Sequence, residues 1–287
     1  MKRAIEFLPK WRKRYAAVCK KHEGGYERIP SFCWCESSAQ VMSYIESVIP
    51  DGYQQFEISD FTGYKKGENK KLISDKIVSE ARTAVINYCW NDIDPDEMGN
   101  FDLVEWYPKS AMRFRRKNAN NLVIYGDPYC RQNANGIVKT FKNPLGRTML
   151  AAVVMKQAIR ERLKIECQGE SYAWVSYSRL YTKLMQNALN QTKDEKDFDS
   201  EISEYEEADW LCVDGFETEK TSDASRTFRT RVLDNFFEER LKNGRPNILV
   251  FQENLEKIDD LRSEFGISIN TIINSDKTTR VKLLEAK

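Results

Sequence analysis

The sequence predicts an α/β fold in which helices flank a parallel five-stranded sheet, together with a smaller N-terminal domain. The first observation is that short apolar runs in the C-terminal half alternate with helical patterns of roughly 10–20 residues, as in parallel βαβ units. The second is that these runs are continuously apolar, as expected of strands covered on both faces. With 41% hydrophobic residues in 287, the chain can build a core and is not disordered as a whole.

The first predicted elements of the sheet follow residue 119. The apolar run Leu122–Tyr125 ends in Gly126-Asp127-Pro128, which indicates a buried strand that enters a turn. After an irregular stretch, residues 147–164 carry apolar residues at helical spacing without a breaker. The chain continues with a strand at Tyr172–Tyr177, a helix capped by Ser178 that runs to about Asn187, an acidic loop with a short helix, and a strand at Ala208–Asp214.

The remaining elements complete the predicted sheet. Residues 223–242 form a long helical pattern that ends at Asn243-Gly244-Arg245-Pro246, a sequence typical of a helix C-terminus. The predicted elements after it are a strand at 247–251, a helix at 255–264, an apolar segment at 267–273 and a last strand at 280–284. Because ligands bind at the carboxyl ends of parallel strands, functional residues are expected there.

Composition and charge exclude several classes of protein. A balance of 45 Lys+Arg against 44 Asp+Glu excludes a globally basic nucleic-acid binder. No apolar run approaches the roughly 18–20 residues that span a bilayer, and seven scattered cysteines favour reduced thiols, so we expect a cytoplasmic protein without a membrane partner. Residues 1–21 are basic and residues 193–219 acidic, which favours an anionic partner, although each cluster alone is also typical of a solvated helix face.

The region before residue 119 divides into a basic segment, 1–50, and a mixed connecting region, 51–118. Aromatic residues are interleaved with the basic residues of 1–21, which is typical of a segment that binds a partner helix or nucleic acid, or of a helix docked on its own domain. In the connecting region, 52–62 is predicted as a strand or loop and 72–90 as a helix.

A zinc site is one interpretation of the cysteines near the N-terminus. Three thiols and the chain's only imidazole lie within a short stretch and could bind Zn²⁺ tetrahedrally. The Cys-x-Cys spacing is tighter than usual, and the neighbouring aromatic residues also fit ordinary burial. The four candidate ligands are Cys19, His22, Cys33 and Cys35.

An interrupted phosphate-binding pattern follows the first strand. A phosphate-binding loop has the form Gly-x4-Gly-Lys-Ser/Thr between a strand and a helix. Here 19 residues separate Gly126 from Gly146, and Arg147 takes the lysine position ahead of Thr148. The inserted residues 129–145 include Arg131, Lys139 and Lys142, and either lysine could replace the missing one, or the insertion could block the pocket.

A second strand end carries a carboxylate. The apolar run Leu211-Cys212-Val213 leads to Asp214, an arrangement in which the aspartate holds Mg²⁺. The next position, which usually supplies the acid that polarises water, is Gly215, and Glu217 is the nearest replacement. Asn254 follows the strand 247–251 and could orient water near a γ-phosphate, or it could be an ordinary loop residue.

These motifs together resemble the AAA+ proteins of the DnaC/DnaI helicase-loader type and the related IstB transposition ATPases. The resemblance spans residues 121–284, and it is specific as an ensemble although no single motif is. It is carried by Asn121–Pro128, Gly146–Ala152, Ala208–Asp214, Glu219-Lys220-Thr221, Phe237–Arg240 and Asn243–Pro246.

The resemblance implies ATP or ADP with Mg²⁺ in the cleft. Gly126, Gly146, Arg147 and Thr148 would bind nucleotide, Thr148 and Asp214 would hold Mg²⁺, and Asp214, Glu217 and Asn254 would serve catalysis. The family's arginine finger has no counterpart around Asn270-Thr271. Loss of the finger can remove a factor of roughly 10³–10⁵ in rate, and Arg147 and Gly215 alter two further catalytic parts, so we expect low or absent hydrolysis. The interruption of the phosphate-binding loop displaces its backbone N–H groups, so we expect weak nucleotide binding.

The resemblance also implies partners. It suggests a DNA replication accessory protein that binds a replicative helicase and single-stranded DNA and self-associates through its AAA+ core. The alternatives are a transposition regulator of the IstB kind and a scaffold that has lost nucleotide. A degenerate core of this type would suit a phage or a mobile element.

Overall fold

The computed structural model describes the core of the chain and two segments that precede it. Of the residues predicted to be functional, the four zinc candidates and the basic segment 1–21 lie outside the described residues. The described residues are 43–63, 72–90, 121–132, 138–141, 145–164, 171–189, 195–218 and 222–284.

In the described part of the chain, seven strands form two sheets. The larger is five-stranded, with the order β4-β5-β6-β1-β7, and every neighbouring pair in it is parallel, which confirms the predicted fold class. The smaller sheet is the antiparallel pair β2-β3. The strands are β1 Leu122–Gly126, β2 Tyr129–Gln132, β3 Val138–Phe141, β4 Tyr172–Ser176, β5 Trp210–Phe216, β6 Asn247–Phe251 and β7 Thr279–Leu283.

Helices cover both faces of the five-stranded sheet. The described residues also include short 3₁₀ turns at Ile58–Asp60 and Leu255–Lys257 and a helical segment at 43–48. Among the described residues, every helix is too short or too polar to span a bilayer. The helices are α1 Asp75–Trp90, α2 Arg147–Lys164, α3 Tyr177–Leu189, α4 Glu195–Glu207, α5 Asp223–Lys242, α6 Leu261–Phe265 and α7 Ile267–Asn274.

The apolar strands have two buried faces because successive residues of a strand point to opposite sides. In β1, Leu122 and Ile124 belong to a cluster with α1 and α2, whereas Val123 and Tyr125 belong to a second cluster with α3 to α7. All four residues are buried. This explains why the runs read as continuously apolar in the sequence.

The described N-terminal segments pack on the same face of the sheet as α2. Ile45, Ile49 and Phe61 are buried in the cluster that also holds the apolar side of α1. Lys156 of α2 is fully buried, and its Nζ donates to the carbonyl of Phe56 and to Oε1 of Glu57 at 3.1 Å. The division of the chain at residues 50/51 and 118/119 stays a prediction.

Helix boundaries differ from the prediction where side chains cap the backbone. The prediction placed the cap of α3 at Ser178. In the structure the cap is Ser176, whose Oγ accepts from the backbone N–H of Arg179 at 3.3 Å, so α3 begins two residues earlier than predicted. The helix predicted over 255–264 is wrong as a single element. Asn254 caps a 3₁₀ turn and Asp260 caps the separate helix α6, because each side chain accepts from the backbone two or three residues on.

The strand that carries Asp214 also runs further than predicted. Strand β5 extends to Phe216, and its pairing with β6 shifts register between Asp214 and Phe216. Gly215 lies at this bulge with a φ of 93°, a conformation that residues with a Cβ rarely adopt. The bulge therefore gives a backbone reason for glycine where the resemblance expects a second acid.

The insertion at 129–145 is not an irregular loop. Residues 129–132 and 138–141 pair as an antiparallel hairpin, in a sheet separate from the five-stranded one. Lys142 and the side chain of Lys139 lie outside what the structure describes, so their approach to the pocket stays a prediction.

Candidate nucleotide-binding site

The candidate site lies at the carboxyl edge of the sheet, where β1, β5 and β6 end. Strand β6 separates the strand of Gly126 from the strand of Asp214. Helix α2 begins at this edge with Arg147 and Thr148. The parallel order thus brings together residues that are far apart in the sequence, as predicted.

Gly126 ends β1 in a place where no larger residue fits. A Cβ built there would lie 1.7 Å from the carbonyl oxygen of Leu283 in β7. The backbone N–H of Asp127 donates to the same oxygen at 3.1 Å, which holds the turn against β7. The glycine is therefore required by close backbone approach, whatever it binds.

Gly146 gives α2 its start. Its φ is 80°, and its carbonyl accepts the first helical hydrogen bond, from Leu150 at 2.9 Å. A Cβ at this position would lie 2.9 Å from the ring of Phe61, so the N-terminal segment packs directly on this turn. The backbone N–H groups of a helix N-terminus favour anions, which suits phosphate.

Thr148 and Asp214 meet across the site. The hydroxyl of Thr148 lies 3.1 Å from Oδ1 and 2.9 Å from Oδ2 of Asp214. Burial raises the pKa of Asp214 to about 6, although the Thr148 hydrogen bond and the charge of Arg147 oppose the shift. Hydroxyl and carboxylate oxygens are the ligands that Mg²⁺ prefers, so this donor pair fits the predicted metal.

Arg147 is fully buried beside this pair. Its Nη1 donates to the carbonyl of Asp127 at 3.0 Å, and its Nη2 lies 3.5 Å from Oε1 of Gln252, at the limit of a hydrogen bond. Among the described residues, its Nε has no hydrogen-bond partner. Burial lowers the pKa of Arg147 to about 10, so it stays charged at neutral pH with one donor unsatisfied.

Asn254 and Asp127 close the other side of the site. Nδ2 of Asn254 donates to Oδ1 of Asp127 at 3.1 Å, and Lys257 Nζ lies 2.6 Å from the same oxygen. Burial opposes ionisation of Asp127, but the hydrogen bonds from Lys257 and Asn254 outweigh it and hold its pKa below the ordinary value. Asn254 thus lies at the predicted edge, and its role toward water stays a prediction.

The sequence reasoning missed Gln252 and Lys257. Gln252 contacts Arg147, and Lys257 pairs with Asp127. Both follow the end of β6, so the rule that selected Asn254 could have found them. Glu217 lies directly after β5 and is half-buried, and its proposed replacement of the missing acid stays a prediction.

The second predicted metal site is a zinc site near the N-terminus. Cys19, His22, Cys33 and Cys35 all lie outside the described residues. Within the described part of the chain, no group of three or more Cys, His, Asp or Glu could hold a metal. The zinc site stays a prediction from the sequence.

Comparisons with known proteins bear on the fold. No family model and no curated protein matches the chain. Solved structures do match. A DnaC helicase loader is 15% identical over 82% of this chain and 99% of its own, with a TM-score of 0.46. DnaI is 11% identical over 83% and 98%, with a TM-score of 0.45, and a DNA replication initiation factor is 14% identical over 82% and 50%, with a TM-score of 0.43.

The structural likeness concerns the fold alone. The strand order and pairing confirm the predicted parallel α/β core, and its assignment to the AAA+ P-loop type stays a prediction from the motifs. At these identities and TM-scores, the matches carry no argument about activity. That argument rests on the residues of the site.

Proposed function

We propose that this protein is a DNA replication accessory protein that binds ATP or ADP with Mg²⁺ at the carboxyl edge of its sheet. The observation that carries the proposal is the contact between Thr148 and Asp214, 2.9 Å at its shortest, at the start of α2. A hydroxyl and a carboxylate from two distant segments converge there beside a buried guanidinium. Their donor set matches the needs of a metal-bound phosphate.

Each residue has a role in this binding. Thr148 and Asp214 hold Mg²⁺, which neutralises charge on the phosphates. The unsatisfied Nε of Arg147 donates to a phosphate oxygen, which removes the cost of a buried donor without a partner. Gly126 and Gly146 let the backbone turn and approach closely on either side.

Hydrolysis is proposed to be slow or absent. Arg147 replaces lysine, and its planar fork does not place a point charge on the phosphates as lysine does. Gly215 occupies the bulge where a second acid is expected, which leaves Glu217 to activate water and Asn254 to orient it. A bound nucleotide would therefore act mainly as a switch of conformation.

The role in replication is proposed from the motif resemblance to helicase loaders. The basic segment 1–21 would bind a replicative helicase, and the AAA+ core would bind single-stranded DNA and self-associate. The motif resemblance and the nucleotide-site residues Arg147, Thr148 and Asp214 support this role.

Calorimetry of the full chain with ATP and Mg²⁺ tests the nucleotide site. Asp214→Asn removes the charged metal ligand, so we expect affinity to fall about tenfold or more, since even the supporting residues of metal sites contribute 10–100-fold. Asp276→Asn is the matched control, because Asp276 is exposed in the turn before β7, at the opposite edge. Absence of heat with the wild-type chain would favour the scaffold alternative.

A pull-down with a replicative helicase tests the partner. Replacement of Lys10, Arg12, Lys13 and Arg14 by Glu should abolish capture, whereas Lys76→Glu, an exposed change on α1, should not. Substitution is preferable to deletion of residues 1–60, because Ile45 and Ile49 are buried in the core. Equal capture by both variants would contradict the docking role, and capture of a transposase instead would favour the alternative.

A further inference from the structure

A segment that precedes the sheet packs on the candidate nucleotide site, and the function proposed above gives it no role. We call its residues 54–63 the strap. Phe61 of the strap belongs to the same buried cluster as Leu150 and Ala151 in the first turns of α2. The strap contacts α2 at two points and α1 at a third.

The first contact is made by the ring of Phe61, which lies beside Gly146 at the start of α2. A Cβ on Gly146 would lie 2.9 Å from Cε2 and 3.2 Å from Cδ2 of that ring. The ring therefore occupies the space beside the glycine, and only 3% of Phe61 is exposed. One side of the turn that would receive phosphate is thus formed by the strap.

The second contact is made by Lys156, which lies about 14 Å further along α2 than Arg147 at the rise of an α-helix. Its Nζ donates to the carbonyls of Gln54, at 3.3 Å, and Phe56, and to Oε1 of Glu57 at 3.1 Å. The side chain of Lys156 is only 1% exposed. Departure of the strap would deprive this ammonium of three acceptors, which is costly for a buried charge.

The third contact comes from Arg82 of α1. Its Nε donates to the carbonyl of Phe61 at 2.9 Å, and its Nη2 donates to the carbonyl of Ser59 at 2.8 Å. These hydrogen bonds fix the backbone that carries the ring. Phe61 therefore keeps its position against Gly146 only while the strap stays docked on both helices.

We infer that the strap positions the start of α2 for phosphate, so that docking of the strap and binding of nucleotide stabilise each other. The inference rests on the nucleotide site proposed above. Phosphate at a helix N-terminus is bound by backbone N–H groups, so its affinity depends on how the first turn is held. Phe61 acts through the turn of Gly146 and is therefore a positioning residue. Because coupling between two equilibria is reciprocal, bound nucleotide also holds the strap more firmly on α2.

Calorimetry of the full chain with ATP and Mg²⁺ tests one direction of the coupling. Phe61→Leu removes the ring beside Gly146, and Arg82→Met removes the two donors that hold the strap. Either variant should lower the affinity for ATP about fivefold or more, since coupling between sites is typically about 5–150-fold. Phe236→Leu is the matched control, because Phe236 is also 3% exposed but belongs to the cluster on the other face of the sheet. Adenosine, which has no phosphates, should bind all of these chains equally.

Hydrogen exchange, measured by mass spectrometry, tests the other direction. ATP with Mg²⁺ should slow exchange about fivefold or more in a peptide that covers the strap, where the backbone N–H groups of Asp60 and Phe61 donate to nearby carbonyls. A peptide that covers residues 201–207 of α4, on the other face of the sheet, should not change. The slowing should be absent in Asp214→Asn at an ATP concentration that saturates only the wild-type chain. A strap that served only as structural support would not respond to nucleotide.

Four outcomes would overturn the inference while the wild-type chain binds ATP. These are wild-type or raised affinity in either strap variant, an equal loss in Phe236→Leu, an equal loss for adenosine, and exchange in the strap that ATP leaves unchanged. If Phe61→Leu does not fold, Arg82→Met and the exchange of the wild-type chain still decide. Absence of heat with the wild-type chain would overturn the proposed nucleotide site and this coupling with it, so the two failures can be told apart.

Discussion

Two arginines at opposite edges of the sheet are equally buried, yet their surroundings differ. Arg147 lies at the carboxyl edge and Arg240 near the amino edge, and neither side chain is exposed. Every nitrogen of the Arg240 guanidinium donates to an oxygen of the protein. The acceptors are Asn247 Oδ1 at 2.6 Å, the carbonyls of Tyr205, Glu206 and Ala208 at 2.8, 3.0 and 2.7 Å, and the carbonyl of Pro246 at 2.9 Å.

The contrast separates an arginine whose guanidinium nitrogens all donate within the chain from one that keeps a donor without a partner among the described residues. Arg240 ties the end of α4 to the starts of β5 and β6, and its hydrogen bonds are complete within the chain. Arg147 has one good hydrogen bond, one at the limit of distance and one nitrogen with no partner among the described residues. A buried donor without a partner costs about 1–3 kcal/mol, and a ligand oxygen would remove that cost.

The largest expected effect comes from Arg240→Met, which keeps the apolar stem and removes the guanidinium. We expect a loss of about 3–5 kcal/mol, because several buried oxygens lose their donor together. Arg147→Met should cost about 1 kcal/mol or less, since two hydrogen bonds are lost but a buried charge is removed as well. Urea denaturation of both variants measures the difference. Equal losses in the free energy of unfolding would mean that the two guanidinium groups contribute equally to stability, which would contradict the contrast.

Parts of this contrast were predictable from the sequence. The carboxyl ends of parallel strands meet at one edge, so Thr148 and Asp214 were expected together, and the strand at 247–251 was predicted to the residue. The position of Gln252 at the end of β6 could have been found in the same way, but its contact with Arg147 was not predictable, because that contact depends on side-chain conformation rather than spacing. The cap at Ser176 and the bulge at Gly215 were missed for a different reason, because both depend on local backbone geometry that residue spacing does not show.

A pH titration of stability sharpens the comparison, because the Arg147 edge holds the carboxyl of Asp214, whose pKa burial raises to about 6. Burial disfavours the charged form of Asp214, so the folded state holds its proton more tightly than the unfolded state. Its contribution is fully present below about pH 4 and is lost as pH rises through about 6, a difference of about 2–3 kcal/mol.

Urea denaturation between pH 4 and 7, without metal, should show this loss in the wild-type chain and not in Asp214→Asn. Mg²⁺ should oppose the loss, since it binds the ionised carboxylate. If the stability of the wild-type chain and of Asp214→Asn depended on pH in the same way, burial would not raise the pKa of Asp214 in the folded state.

For nucleotide affinity, in contrast to stability, Arg147→Met should have the larger effect of the two arginine substitutions. Arg147→Met should lower the affinity for ATP with Mg²⁺ about 10–100-fold, the value of one charge-assisted hydrogen bond of about 1.5–3 kcal/mol. Arg240→Met, measured below its melting temperature, should bind as the wild-type chain does. Adenosine, which has no phosphates, should bind Arg147→Met and the wild-type chain equally. A similar loss for adenosine would mean that Arg147 shapes the pocket rather than contacting phosphate.

The smallest expected effect concerns Lys257, which contacts the same residue as Arg147 but from the solvent side. Its Nζ lies 2.6 Å from Oδ1 of Asp127, and its side chain is 69% exposed. An exposed pair contributes about 1 kcal/mol at most, and salt screens it.

Lys257→Ala should therefore lower stability by about 1 kcal/mol or less, and the difference should vanish in concentrated salt. Lys242→Ala, which breaks the exposed 3.0 Å pair with Glu238 on α5, is the matched control and should behave alike. A loss of about 2 kcal/mol that persists in salt would contradict this prediction. It would mean that exposed Lys257 contributes to stability as strongly as a buried arginine, so that burial does not decide how much a cation of this edge contributes.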